Sequence, residues 1–157
     1  MIEILNHLWI NYDLIDSSNI NRLKENILSL KIKNIVIISN KIGYLNIKDT
    51  NEMMYKLSFD KNIDIQVLNN DFYKKIYEIT FLINECLKKK QKIIIIGHNN
   101  NQDIDAIICA YYIRYAKVSF NKAIEYLKTK KKNVFYEECY YYDVLNLFYK
   151  DINQNNN

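Results

Sequence analysis

The sequence predicts an α/β domain with a partly parallel sheet, and three observations carry that reading. Two short runs, NIVIIS (34–39) and KIIII (92–96), are almost wholly β-branched, as in central strands buried on both faces. Between and after them, apolar residues recur every three or four positions, the spacing of amphipathic helices. Strand-like and helix-like segments therefore alternate, the pattern of parallel strands joined by helical crossovers. In such folds active sites sit at the carboxyl ends of the strands, which is where the polar loop after Ile96 falls.

Ile2, Ile4 and Leu8 to Ile10 read as two short strands of an edge hairpin around Asn6-His7, with His7 a turn residue. Ser17-Ser18 offers an N-cap for a helix to about Leu30, whose Ile20, Leu23, Ile27 and Leu30 share a face. After the first central strand, residues 40–52 are polar and irregular. YKLSF (55–59) and IDIQVL (63–68) read as strands, the second with the alternation of a half-buried one. From Asp71 to about Lys89, the residues Phe72, Ile76, Ile79, Ile83 and Leu87 mark an amphipathic helix with a basic end, and Asp71 reads most simply as its N-cap. The second central strand leads to a loop (97–102) and a helix over 103–117. Ser119 caps a further helix from about Phe120 to Lys131, and a Tyr-rich helix spans about Tyr136 to Tyr149. Its Tyr140-Tyr141-Tyr142 run reads as an amphipathic rim of the core rather than a platform for bases. Residues 1–151 form one domain, and 152–157 read as a disordered polar tail.

Composition narrows the function classes. Hydrophobic residues make up 49% and charged residues 25% of the 157, the balance of a globular protein. No apolar run is long enough to span a bilayer, and the amino terminus lacks the pattern of a signal peptide, so an intracellular, cytoplasmic protein without membrane association is expected. Cys86, Cys109 and Cys139 have no metal-like spacing and read as buried thiols. The net charge of +4 comes partly from Lys88-Lys89-Lys90-Gln91-Lys92 and Lys128-Thr129-Lys130-Lys131-Lys132. Both read as solvated lysines complementing helix carboxyl ends, and nucleic acid is not the expected partner. The dominance of Asn, Ile, Lys and Tyr, with no Pro and two Gly, fits an AT-rich genome such as that of a large DNA virus or a protist parasite.

The order of these segments resembles the dual-specificity phosphatases of the protein tyrosine phosphatase superfamily over nearly the whole chain. Ile2 to Asn11 is similar to the family's opening hairpin segment, LKIKNIVIIS to its LGI-x-x-VLNVS strand, and KIIIIG to its VLVHC strand. IDIQVLNND resembles the strand leading to the general-acid loop, and AYYIRYAKVSFNKAIEYLKTKKK the helices that follow the active-site loop. The resemblance implies a central mixed, twisted sheet of about five strands flanked by helices. It also implies a loop with Cys, five residues and Arg, whose thiolate attacks phosphorus while the Arg fork holds the phosphate.

At the matching positions this chain has Gly97 and Asp103, with His98, Asn99, Asn100, Asn101 and Gln102 between them. Gly97 has no group to attack with, and Asp103 reverses the sign of the phosphate ligand. At about 4 Å and partial screening, one unit-charge pair is worth roughly 4 kcal/mol, so the reversal moves phosphate affinity by several kcal/mol. Asn100 replaces the loop's Gly, and Ile104 replaces the Ser after the Arg. Asp71 in Asn70-Asp71 resembles the family's general acid, a vestige with no nucleophile to assist. The resemblance thus points to a pseudophosphatase without catalytic residues, cofactor or metal. Such a chain would act by binding a protein partner as scaffold, competitor or regulator, and a homodimer is compatible because viral members of the family can dimerise.

The same loop also resembles the GH-x-NPDTDAI metal motif of DHH-type phosphoesterases and manganese pyrophosphatases. In that alternative His98, Asp103 and Asp105 would hold a divalent ion. The spacing differs by one residue, and no second Asp-His-His cluster exists in a chain with two His. Outside either resemblance, His98 reads as a solvent-facing loop residue and Asp103 as a helix N-cap.

Overall fold

In a computed structural model, the structure describes residues 1–12, 18–39, 43–57, 65–97, 101–135 and 141–154, without the side chains of 65–70 and 101. The hairpin forms as expected: β1 (Ile2–Leu5) pairs antiparallel with β2 (Leu8–Asn11), and His7 turns the chain with φ 75°. Helix α1 (Ile20–Ser29) leads to β3 (Asn34–Ile38), and then comes β4 (Asn51–Tyr55). Helix α2 (Ile65–Lys88), β5 (Ile93–Gly97) and α3 (Asn101–Tyr111) follow, and α3 continues into a π-helical turn (Tyr112–Ala116). The last helices are α4 (Phe120–Lys128) and α5 (Tyr142–Gln154).

The five strands form one mixed sheet in the order β1-β2-β5-β3-β4, parallel except for the β1–β2 hairpin. Every residue of β3 and β5 is buried, because helices cover both faces. Alternation sorts their side chains. Val36, Ile38, Ile93 and Ile95 face the larger core, shared with α2, α3, α4 and α5. Ile35, Ile37, Ile94 and Ile96 face α1, together with Leu45 and Ile47. Each isoleucine buried in this way contributes about 1.5–3 kcal/mol.

Three expected elements move. The strand expected at 55–59 is instead Asn51–Tyr55, with 58–59 outside the described residues, and the described part of IDIQVL, from Ile65, is helix α2. With no Gly or Pro between Leu68 and Phe72, nothing breaks the helical period set by Phe72, Ile76, Ile79 and Ile83, and it propagates back through Asn69-Asn70-Asp71. Helix α1 starts after Asn19, whose side chain makes no capping bond, while Ser17 lies outside the described residues. Ser119 does cap α4, accepting from Lys122 N at 3.4 Å. The expected final helix from Tyr136 lies partly outside the described residues. Among those described, it begins at Tyr142 and runs to Gln154. Among the described residues no helix is long and apolar enough to cross a membrane.

Candidate functional site: the junction of β5 and α3

Strand β5 is the central strand, and α3 starts four residues after it ends, so the carboxyl end of β5 points at the first turn of α3. Gly97 closes the strand, buried and in register with Ile38 of β3. A Cβ built on Gly97 would lie 2.8 Å from Ile104 Cδ1 and 3.0 Å from its Cγ1. Carbon atoms pack at roughly 3.5–4.0 Å, so the Ile104 side chain already fills the space a side chain at 97 would enter. Ile104 itself is fully buried.

Asp103 lies within the first turn of α3 rather than at its cap, because the helix begins at Asn101. Its carboxylate accepts a hydrogen bond from the Tyr141 hydroxyl. The Tyr141 ring is buried and stacked on Phe72 at 4.5 Å between centroids. Burial pushes the Asp103 carboxyl above its ordinary range, and the bond from Tyr141 opposes part of that rise.

Two residues on, Asp105 is wholly buried and fully engaged. It accepts from Tyr12 Oη at 2.7 Å, from Lys131 Nζ at 2.9 Å on each oxygen, and from the Phe135 amide at 3.0 Å. Lys131 also stands 3.9 Å from the centre of the Tyr12 ring. Burial, and after it the neighbouring Asp105 carboxylate, hold the Tyr12 hydroxyl far above the usual phenol range. This cluster ties the end of β2 and the segment after α4 to α3, directly behind the junction.

The structure does not assemble the alternative metal set. Asp103 and Asp105 are committed to different partners, and a cation at Asp105 would have to displace Lys131. Among the described residues no group of three His, Cys, Asp or Glu could hold an ion. His98, Asn99 and Asn100 lie outside the described residues, as does the side chain of Asn101, while Gln102 is buried.

Asp71 is not a helix cap, because α2 already begins at Ile65. It sits within α2 on an exposed face and pairs with Lys75 at 2.5 Å, one turn along. The carboxylates carried between β4 and α2 are Asp60 and Asp64, also outside the described residues.

Sequence reasoning missed Tyr12, Lys131 and Tyr141 as neighbours of α3. Lys131 is one of four lysines in KTKKK, and only its distance in space to Asp105 separates it from the others. Ile104 could have been found: with Ile107 and Ile108 it makes the i, i+3, i+4 apolar stripe of a helix face turned to the core.

No protein-family model matches the sequence, and no curated protein matches it. Solved structures do. The fold superposes on human DUSP28 with a TM-score of 0.76 at 11% identity, over 99% of both chains. A mouse putative dual specificity phosphatase complexed with zinc tungstate gives 0.76 at 11% identity, over 99% of this chain and 89% of that one. A leucine rich repeat and phosphatase domain containing protein from Entamoeba histolytica gives 0.70 at 17%, over 99% and 94%. The fold is that of the dual-specificity phosphatases.

Proposed function

We propose that this chain is a catalytically inactive relative of the dual-specificity phosphatases, and that it acts inside the cell by binding other proteins as a scaffold, competitor or regulator. One observation supports the reading: at the position that matches the resembled family's nucleophile this chain has Gly97, and Ile104 fills the space a side chain there would need. Among the described residues no thiol can stand in for the nucleophile, since Cys86 and Cys109 are buried in helices α2 and α3; Cys139 lies outside the described residues. The anion-binding position supports the same conclusion. Asp103 brings a carboxylate to the first turn of α3, where the positive end of the helix dipole would otherwise favour a phosphate. Its bond from Tyr141 further occupies the spot.

The test is turnover of an aryl phosphate or phosphopeptide by the purified chain, expected to stay at background. Turnover above background that disappears when the 97–103 segment is mutated would overturn the reading. A second experiment asks what the backbone still provides. Gly97→Cys with Asp103→Arg should fail to bind tungstate while Ile104 remains, and adding Ile104→Ser should restore binding. Equal binding by the double and triple variants would show that Ile104 is no obstacle.

A further inference from the structure

We infer that the turns at the amino-terminal ends of the parallel strands, at the opposite end of the sheet from the β5–α3 junction, form a basic face that docks an acidic segment of a partner protein. This rests on the protein-binding reading and adds where the partner is held and by what chemistry.

Backbone hydrogen bonds place the turns side by side. Lys33 N and Asn34 N each donate to Lys92 O at 3.3 Å, which joins the α1–β3 turn to the α2–β5 turn. Asn51 N donates to Lys33 O at 2.8 Å, and Ile93 N to His7 O at 2.9 Å, so the turn before β4 and the β1–β2 turn flank them. Helices α1 and α2 end in the same cap. Ile32 N reaches back to Ile27 O and Lys31 N to Leu28 O, while Gln91 N reaches back to Cys86 O and Lys90 N to Leu87 O. Each cap therefore carries Lys-x-Lys; Lys31, Lys33 and Lys90 reach solvent, while Lys92 Nζ turns back to Leu30 O at 2.8 Å and ties the two caps together.

Lys31 and Lys90 both adopt φ 54°, the left-handed conformation that favours Gly or Asn. Lys117 does the same at φ 56° after the π-helical turn. What sets Lys31 and Lys90 apart is that their caps lie side by side and add their charge. Lys31, Lys33, Lys89 and Lys90 are exposed, and few carboxylates oppose them. Glu85 is already paired with Lys88, Glu3 accepts from His7 N in the β1–β2 turn, and Asp49 is the one acid of the turn before β4.

Beside the face stands Leu28, 56% exposed in the last turn of α1 and three residues before Lys31. A leucine has no partner on a phosphate backbone, and a single leucine gives little apolar area to a bilayer. A Glu-rich protein segment carrying an apolar residue satisfies both the lysines and Leu28.

The experiment is fluorescence anisotropy with a labelled Glu-rich peptide containing leucines, at about 0.15 M salt. Lys31→Asn/Lys89→Gln/Lys90→Asn keeps both left-handed caps satisfied while removing charge. It should weaken binding by roughly tenfold, and Leu28→Ala should weaken it further. Lys128→Gln/Lys130→Gln/Lys132→Gln removes the same charge near the other end of the sheet and should leave affinity unchanged. Equal losses from the two triple variants, no peptide binding, or tighter binding of duplex DNA or phosphatidylserine vesicles than of the peptide would each overturn the basic face. Phosphate-ester turnover would instead overturn the underlying pseudophosphatase reading and leave the anisotropy result standing, so the two failures are distinguishable.

Discussion

The two ends of the sheet handle charge in opposite ways. At the β5–α3 end charge is drawn inward: Lys131 and Asp105 are buried together, and Asp103 is bonded by a buried tyrosine. At the other end Lys31, Lys33, Lys89 and Lys90 remain in solvent. KTKKK and KKKQK look alike as sequences, yet one supplies a structural ion pair and the other a charged surface. What differs is whether the fold brings a carboxylate from a distant segment to the lysine.

That contrast breaks most visibly at Lys131. Removing it by Lys131→Ala leaves Asp105 buried without its counter-charge and should cost about 3–5 kcal/mol in urea unfolding, while Lys89→Ala changes stability by no more than about 0.5 kcal/mol. Asp105→Asn/Lys131→Met should recover much of the loss, because no lone charge remains. Comparable effects of Lys131→Ala and Lys89→Ala would erase the distinction between the ends.

The next effect concerns packing at the junction. Gly97→Ala forces its methyl against Ile104 and should destabilise by about 1–3 kcal/mol. In combination with Ile104→Ala, the loss should be smaller than the sum of the two single variants, since each relieves the other. Additivity in that cycle would show the contact to be easily relaxed.

A smaller effect follows from the raised carboxyl of Asp103. Above its ordinary value of 3.8, the folded protein still holds a proton that the unfolded chain has released. The contribution of Asp103 to stability is therefore fully present below that value and is lost as pH rises through the folded-state value. Asp103→Asn should flatten this fall in urea midpoints measured across the acidic range, and an unchanged pH profile would contradict the assignment. Smallest of all, Lys90→Asn should raise stability by a few tenths to about 1 kcal/mol, because Asn accepts the left-handed cap more easily.

Much of the fold was legible because its determinants are local. NIVIIS and KIIII announce buried strands, Ser119 announces a helix start, and the hairpin follows from alternation around Asn6-His7. The misread stretch, 55–71, failed because IDIQVL has strand-like alternation over only a few residues, while a long helical period downstream captures it. At the site, Gly97 and Asp103 were singled out by spacing against a resembled family, and the structure places both at the β5–α3 junction. The ties from Tyr12, Lys131 and Tyr141 were not, since each spans many residues of chain and depends on how α4 and α5 pack over α3.

Ile104 also bears on how such a junction can change over generations. A side chain gained at 97 meets the isoleucine, and an isoleucine trimmed first leaves a void beside a glycine. Either step taken alone is expected to cost stability, so on the proposed descent the two positions are coupled, and a side chain regained at 97 asks for a smaller one at 104.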